Sequence, residues 1–384
     1  MGNLFINLFI FFFSLIFFIN IKKNKEILKD YSFYILIFFF ISLLINVSFS
    51  LDPINSLPRV LKIFFVIFFI FQIKMTINQK HYVETELIFK LWFIIFIVVL
   101  FDIFFEILFG QNTLGFVSYM PGRVASFFGE ELVVGAYLHG FVLFFLSYIV
   151  SKKYNNYLII FLVVGIIIVS FLVGERSNFI KLLISIILFS TIAINISYKK
   201  KITFFLIALI SILSILTFND NYKLRYYDQI KILFTENGFS KYMTQSQYGS
   251  HQNAAIKIFK EHPFFGVGVK NFRSESINDK YENKEYKFTK LRQSTHPHQI
   301  HHEFLSETGI FGYLSFCTFI ILSLWLAIKN YFKNKNIYQL AAIIFITSSL
   351  LPYLPSGSFL STFNSSFFWI NYAIMMSYIK KSKF

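Results

Sequence analysis

The sequence predicts an all-α integral membrane protein of about eleven transmembrane helices, and three observations carry that prediction. Of 384 residues, 56% are hydrophobic and only 15% charged, whereas a water-soluble domain carries about a quarter charged residues. The mean hydropathy is +0.60. The apolar residues fall in long continuous runs, where barrel strands would alternate apolar and polar positions. The net charge of +16 would point to nucleic acid in a soluble protein. Here lysines at the ends of apolar spans compete with that reading, because such lysines set topology. Cys317 is the single cysteine, which excludes an intrachain disulfide and a multi-cysteine metal site.

A hydrocarbon core of about 30 Å takes about 20 apolar helical residues. Runs of that order occupy 4–21, 31–51, 58–75, 87–109, 133–150, 157–173, 178–196, 201–218, 309–328, 338–353 and 360–379. The sixth and tenth are the shortest. The first run has no basic residue before it and Lys22, Lys23, Lys25 and Lys29 after it. That is the reverse of a signal peptide, so a retained helix with its N-terminus outside is expected. Basic residues of the remaining short connections then fall on alternate sides. One side holds Lys74, Lys80, Lys90, Lys152, Lys153, Lys199, Lys200, Lys201, Lys329, Lys333, Lys335, Lys380, Lys381 and Lys383 besides the first four. The other holds Arg59, Arg123 and Arg176, a division of eighteen to three. The expected topology is N-out and C-in.

The chain accordingly divides into eight spans over 1–218, a large hydrophilic loop over 219–308 outside the cytoplasm, and spans nine to eleven with a cytoplasmic tail over 309–384. The loop has 13 basic and 10 acidic residues. Within it, 248–261 reads as a short helix with Ala254, Ala255, Ile258 and Phe259 on one side, ended by Pro263. Residues 278–292 read as a charged connector, and 264-FFGVGVKNF-272 as a tight turn, since no strand-turn-helix context supports a nucleotide loop. The segment 351-LPYLPSGSFLSTF-363 is a break between two spans, tolerated where it lines a cavity.

Only six basic residues are arginine: Arg59, Arg123, Arg176, Arg225, Arg273 and Arg292. All six fall on the outer side, and arginine's planar fork grips phosphate bidentately where lysine serves as a point charge. Snorkelling at helix ends is the plainer reading. Arg59, Arg123 and Arg176 stand at helix mouths in short connections and are the stronger candidates. Asp102 and Glu106 lie i,i+4 on the fourth span, Glu130 and Glu131 open the fifth, and Glu175 adjoins Arg176; counterions to the arginines is the expected role. A paired-carboxylate glycosidase is a weak alternative, since nothing in the sequence fixes the separation. Four of the eight histidines, His296, His298, His301 and His302, lie within seven residues. A neutral imidazole is the usual general base for a hydroxyl nucleophile. Zinc is the rival, with Glu303 as a further ligand.

These residues resemble the bacterial O-antigen ligase/O-antigen polymerase family of polytopic glycosyltransferases. The resemblance rests on Arg123 with 127-FFGEELVVGAYL-138, on 173-VGERSNF-179, on 262-HPFFGVGVKNF-272, and above all on 296-HPHQIHHEFLSETGIFG-312, similar to the family's H-x-H-N…E-x-G-x-x-G signature. It covers roughly residues 100–370. Gln299 stands where the family usually has Asn, and Ser250-His251 where members often carry an arginine. The resemblance implies a GT-C-like fold and metal- and cofactor-independent transfer of a glycan from an undecaprenyl-diphosphate carrier to an acceptor hydroxyl. The setting would be the periplasmic face of the bacterial inner membrane, with no role for nucleic acid. His298 would be the base and His296 an orienting group. Arg123, Arg176 and Arg59 would hold the diphosphate, with Glu130, Glu175, Gly266, Gly268 and Glu307 in support. The acceptor would be a lipid A-core sugar in a ligase, the leading expectation, or another lipid-linked repeat unit in a polymerase. A polysaccharide flippase is a further alternative, although its inverted repeat with midplane charges is not what the sequence displays.

Overall fold

The computed structural model describes residues 2–21, 29–79, 82–228, 230–283 and 286–379. Lys22, Lys23, Lys25, Lys80, Lys380, Lys381 and Lys383, which entered the topology argument, lie outside the described residues, as do 284 and 285 of the charged connector. All eleven apolar runs are helical. They form α1 (Gly2–Ile19), α2 (Tyr31–Ser48), α3 (Pro53–Gln79), α4 (Tyr82–Phe109), α5 (Val134–Ser151), α6 (Asn156–Leu172), α7 (Arg176–Ala193) and α8 (Tyr198–Phe218). After α9 (Gly238–Gln245) and α10 (Gln247–Glu261) come α11 (Ile300–Asn334), α12 (Ile337–Ser349) and α13 (Thr362–Ser377). Eight of them, α1 to α5, α7, α8 and α11, are long and apolar enough to cross a membrane. The other three include the sixth and tenth runs. With 13 residues at about 1.5 Å each, α12 extends only about 20 Å against a core of about 30 Å. The chain is a polytopic, all-helical membrane protein.

Two compact units make up the chain: residues 1–79, 235–334 and 352–384 form one, and residues 80–234 and 335–351 the other. In the first, α3 packs against α1, α2 and α13, while α11 packs against α2 and α10. Phenylalanine supplies much of this core. Phe39 stacks on Phe319 with ring centroids 4.9 Å apart and Phe304 on Phe316 at 4.0 Å. Aromatic pairs of this kind contribute about 0.5–1.5 kcal/mol beyond their buried area.

Helix α11 starts nine residues earlier than its apolar run, at Ile300 and not at 309. Its polar first turns are helical because their groups are satisfied inside the protein. The Gln299 side-chain oxygen accepts the His302 amide at 2.8 Å, the capping bond a helix N-terminus requires, and Glu303 and Glu307 are bonded as described below. The helix is then interrupted at Gly309 (φ 63, ψ −168). The Ile310 and Phe311 amides turn to the Pro263 and Phe264 carbonyls at 2.8 and 3.3 Å. Two further bonds, Val267 N–H to Ser306 O at 3.0 Å and Gly268 N–H to Glu307 O at 2.8 Å, complete a strap along the break. The other edge of the strap meets the α2–α3 connection: the Leu51 amide donates to Val267 O at 3.0 Å and the Ser56 hydroxyl to Val269 O at 2.8 Å. A Cβ on Gly268 would lie 1.9 Å from Ser50 Oγ, so the close approach requires glycine.

Helix α10 spans the predicted 248–261 with one extra residue, and Ala254, Ala255 and Ile258 form a small core with Val267, Phe272 and Tyr281. The segment 278–292 departs from a charged connector in its described part. Buried Arg292 pairs with Asp279 at 3.2 Å, and the Tyr281 hydroxyl lies 2.6 Å from Glu261 and 2.8 Å from Glu275. Part of its charge is matched inside the fold, with Lys280 also paired to Glu261 at 2.7 Å and Glu275 at 3.0 Å, which composition does not reveal.

In the second unit α5 packs against α4, α7 and α12, and α6 against α7 and α8. Asp102 and Glu106 are not counterions to arginine, as the sequence suggested. Asp102 accepts the Thr113 amide at 2.9 Å and the Ser126 hydroxyl at 2.7 Å, and Glu106 accepts the Ala125 and Ser126 amides at 2.8 and 2.6 Å. They satisfy the backbone of the 110–132 loop, which would otherwise carry buried unbonded amides.

Replacing Gly309 by alanine puts a Cβ 2.3 Å from the Phe264 carbonyl in a backbone region that is essentially glycine-only. Gly309→Ala is expected to lower stability by about 1–3 kcal/mol, read as a lower unfolding temperature of the purified protein in detergent. An unchanged transition would show that the break is not needed.

Candidate active site

In the first unit, residues 294–299 form the turn into α11, and this turn carries both predicted histidines. His298 adopts a left-handed backbone (φ 55), a conformation for which His is several-fold enriched over most residues. Its carbonyl accepts the Ser356 amide at 2.8 Å, so the Pro/Gly/Ser break packs on this turn. The His298 ring lies 4.0 Å from His296 and 4.9 Å from His251 between centroids, the latter pair stacked at 27°. Tyr248 meets it edge-on at 5.5 Å, and Ser294 Oγ is 3.3 Å from its Nε2. On His296, Nδ1 is 2.9 Å from the Thr295 hydroxyl, while Nε2 is buried without a hydrogen-bond partner.

Burial and like neighbours keep these rings neutral. Desolvation, then the His298 and Lys270 charges, push His296 down to about 2; desolvation and His251 push His298 down to about 4. His251 is also lowered, by burial. A neutral ring keeps one nitrogen lone pair for a proton. His301 faces elsewhere, with Nδ1 3.1 Å from the Tyr313 hydroxyl. Among the described residues no group of three or more His, Cys, Asp or Glu is arranged to hold a metal ion.

Below the histidines a charged lattice joins the strap to α11. Glu303 accepts the Ser358 hydroxyl, and the Phe359 amide at 2.8 Å. Lys270 donates its ammonium to Ser358 at 2.9 Å and its backbone N–H to Glu307 at 2.7 Å. One Glu307 oxygen, Oε1, is buried without a partner. Gly266 and Gly268, with φ of +65 and +98, let the strap approach α11. On α3, exposed Arg59 acts electrostatically on Lys62, as does Lys270, and Lys62 donates to the Thr362 hydroxyl at 2.8 Å. Sequence reasoning singled out Arg59 and passed over Lys62 and Lys270, because lysine is abundant here and carries little information by itself. It noted His251 only as a departure from a family pattern. Its place against His298 is set by the docking of α10.

In the second unit Arg123 is 3.3 Å from Glu175 and also donates to the Leu132 carbonyl, while its Nε–H is buried and unpaired. Glu175 further accepts the Gly135 amide at 2.8 Å and the Asn178 side chain at 2.7 Å. Burial raises its affinity for a proton, opposed chiefly by the Arg123 charge. Arg225 donates to the Gly174 carbonyl beside Glu175. Arg176, half-buried at the first turn of α7, acts electrostatically on Tyr226. The unit therefore gathers three arginines near the α6–α7 turn, one of them a loop arginine that the sequence ranked lower. Glu130 is exposed in the short turn Ser126–Glu131 that precedes α5.

Removing Glu175 would leave Arg123 with an unmatched, largely buried charge. Glu175→Ala is expected to cost about 3 kcal/mol of stability, measured as a shift in thermal unfolding, and the double variant Arg123→Ala/Glu175→Ala is expected to recover part of it. A double variant no better than the single would mean that the two charges are uncoupled.

No curated protein matches the chain. Residues 161–317, from α6 to the first half of α11, match the family model described as O-antigen ligase. The matched segment contains Glu175, Arg176, His251, Gly266, Gly268, the histidine turn and Glu307, and over those residues the chain is similar to the O-antigen ligase family.

Proposed function

We propose that this protein transfers a glycan from an undecaprenyl-diphosphate carrier to an acceptor hydroxyl at the periplasmic face of the bacterial inner membrane, in an N-out, C-in arrangement of about eleven spans with a GT-C-like fold. The family match supports ligase/polymerase-type work in surface polysaccharide biosynthesis. The observation that carries the chemical reading is the neutral His296–His298–His251 cluster at the entry to α11, within electrostatic reach of the Lys270 ammonium. In this reading the acceptor hydroxyl gives its proton to His298 as its oxygen forms a bond to the anomeric carbon. The bond from that carbon to the phosphate oxygen breaks, and the polyprenyl diphosphate departs with the electron pair. His296, whose Nε2 is unpaired, orients the acceptor. Arg123, Arg176 and Arg59 neutralise the departing diphosphate, whose charge grows in the transition state, where fixed cations act most strongly. The unpaired Nε–H of Arg123 fits that role. The acceptor is assigned as a lipid A-core sugar, with a second lipid-linked repeat unit as the alternative.

Purified protein with a lipid-diphosphate oligosaccharide tests this directly. Transfer only when core lipid is added would mark a ligase, laddered products without core lipid would mark a polymerase, and no transfer in either case would remove the proposal. A chelator is expected to leave the rate unchanged. His298→Ala is expected to lower the rate by about a hundredfold or more; wild-type activity would sink the assignment.

The pH dependence has a definite sign. A base with its pKa lowered to about 4 is competent above that value, so kcat/KM is expected to stay level from pH 8 to about 5. It is then lost as the pH falls through about 4. An acid limb near 6.5, the ordinary histidine value, would exclude a buried neutral base.

A further inference from the structure

At the end of the second unit where α5 meets α6 and α7 meets α8, a cavity of about 530 Å³ opens to the surface between two short connections. Its walls include Lys153, Tyr154, Asn156, Tyr157, Asn195 and Lys200, and no carboxylate lines it. The connections join α5, α7 and α8, which are apolar and long enough to cross a membrane, and the shorter apolar α6; in the membrane arrangement proposed above, such connections stand at the depth of lipid headgroups, where tyrosine is enriched. None of the glycan-transfer chemistry uses it.

The wall is built to carry positive charge. Lys200 is held with its ammonium 4.9 Å from the centroid of the Tyr157 ring and donates to the Tyr157 hydroxyl, and Asn156 donates to the Asn195 carbonyl at 3.2 Å, tying the two connections together. Lys152, next to the cavity, is neutralised by Glu86, whereas Lys153 and Lys200 have no ion-pair partner among the described residues. Helices α6 and α8 both begin at this wall. Asn155 caps α6 through the Tyr157 amide at 2.8 Å, while the α8 N-cap Ser197 makes no side-chain capping bond. First-turn amides without an internal partner and the positive end of a helix dipole favour an anion. Two unmatched lysines, an uncapped helix start and an acid-free cavity of ligand size converge on one chemistry. We propose that this cavity binds a phosphate group, and specifically the phosphodiester headgroup of an anionic lipid, for which a basic pocket between membrane helices is the expected recognition element.

The full-length protein in nanodiscs of phosphatidylcholine, with and without phosphatidylglycerol, tests the proposal by the lipid retained after extraction, measured by mass spectrometry. Phosphatidylglycerol is expected to be retained selectively. The double variant Lys153→Ala/Lys200→Ala is expected to lose that retention by about twentyfold or more, about fivefold per lysine. Lys333→Ala, a basic residue outside the cavity, is expected to retain phosphatidylglycerol like the wild type. A parallel arm adds inorganic phosphate to protein in phosphatidylcholine alone and follows thermal unfolding. Stabilisation by phosphatidylglycerol and not by phosphate assigns the site to a headgroup; stabilisation by phosphate that the double variant abolishes supports the phosphate chemistry and overturns the lipid source. Equal retention of both lipids, an unaffected double variant, or an equal loss in Lys333→Ala would overturn the proposal.

Discussion

The break in α11 at Gly309 is the constraint on which the first unit depends. A membrane helix that stops hydrogen-bonding to itself must find other partners for its amides, because lipid offers none. Here the partners are the carbonyls of Pro263 and Phe264, supplied by the strap that follows α10. The same strap gives its amides at 267 and 268 to carbonyls of α11 and its other edge to Ser50, Leu51 and Ser56. One set of backbone bonds thus fixes the hydrophilic segment to two membrane helices and determines where the turn at 294–299 emerges.

Chemistry follows from that placement. Docking α10 against the strap sets His251 against His298, and the Pro/Gly/Ser break closes on the same turn through Ser356 and on the first turn of α11 through Ser358. Burial of the three rings disfavours the protonated form of each, and the neighbouring ring adds to this for His296 and His298, so each is held neutral. Carboxylates are separated from them: Glu303 and Glu307 bond to backbone amides and share the Lys270 charge. Such separation leaves the histidine lone pairs as the proton acceptors of the turn, and gives the carboxylates a positioning role.

Gln299 shows how a side chain outside the usual capping set can start a helix. Asparagine is among the preferred N-cap residues and accepts a first-turn amide through its short side chain. Gln299 is one methylene longer, is buried, and makes the equivalent bond to the His302 amide. The bond caps α11 and holds the register of Glu303 and Glu307 below. The arginines of the second unit show a comparable economy: Gly135 has no side chain, so Glu175 can reach its amide and face Arg123 together.

The sequence by itself determined the class of this protein. Continuous apolar runs leave only helices as a way to satisfy the backbone in a membrane, and all eleven runs are helical; the histidine turn, the paired glycines of the strap and the arginines at helix mouths were legible because each residue type has a chemistry of its own. Tertiary structure decided what composition hides. Asp102 and Glu106 bond a loop backbone and not an arginine, residues 300–308 are helical although polar, Arg292 is buried in a segment that reads as a solvated connector, and Lys270 and His251 join a site to which nothing in their own neighbourhood assigns them. In these cases a polar group meets a partner beyond its own helical turn, and a one-dimensional pattern carries no record of which such partner the fold will bring into contact.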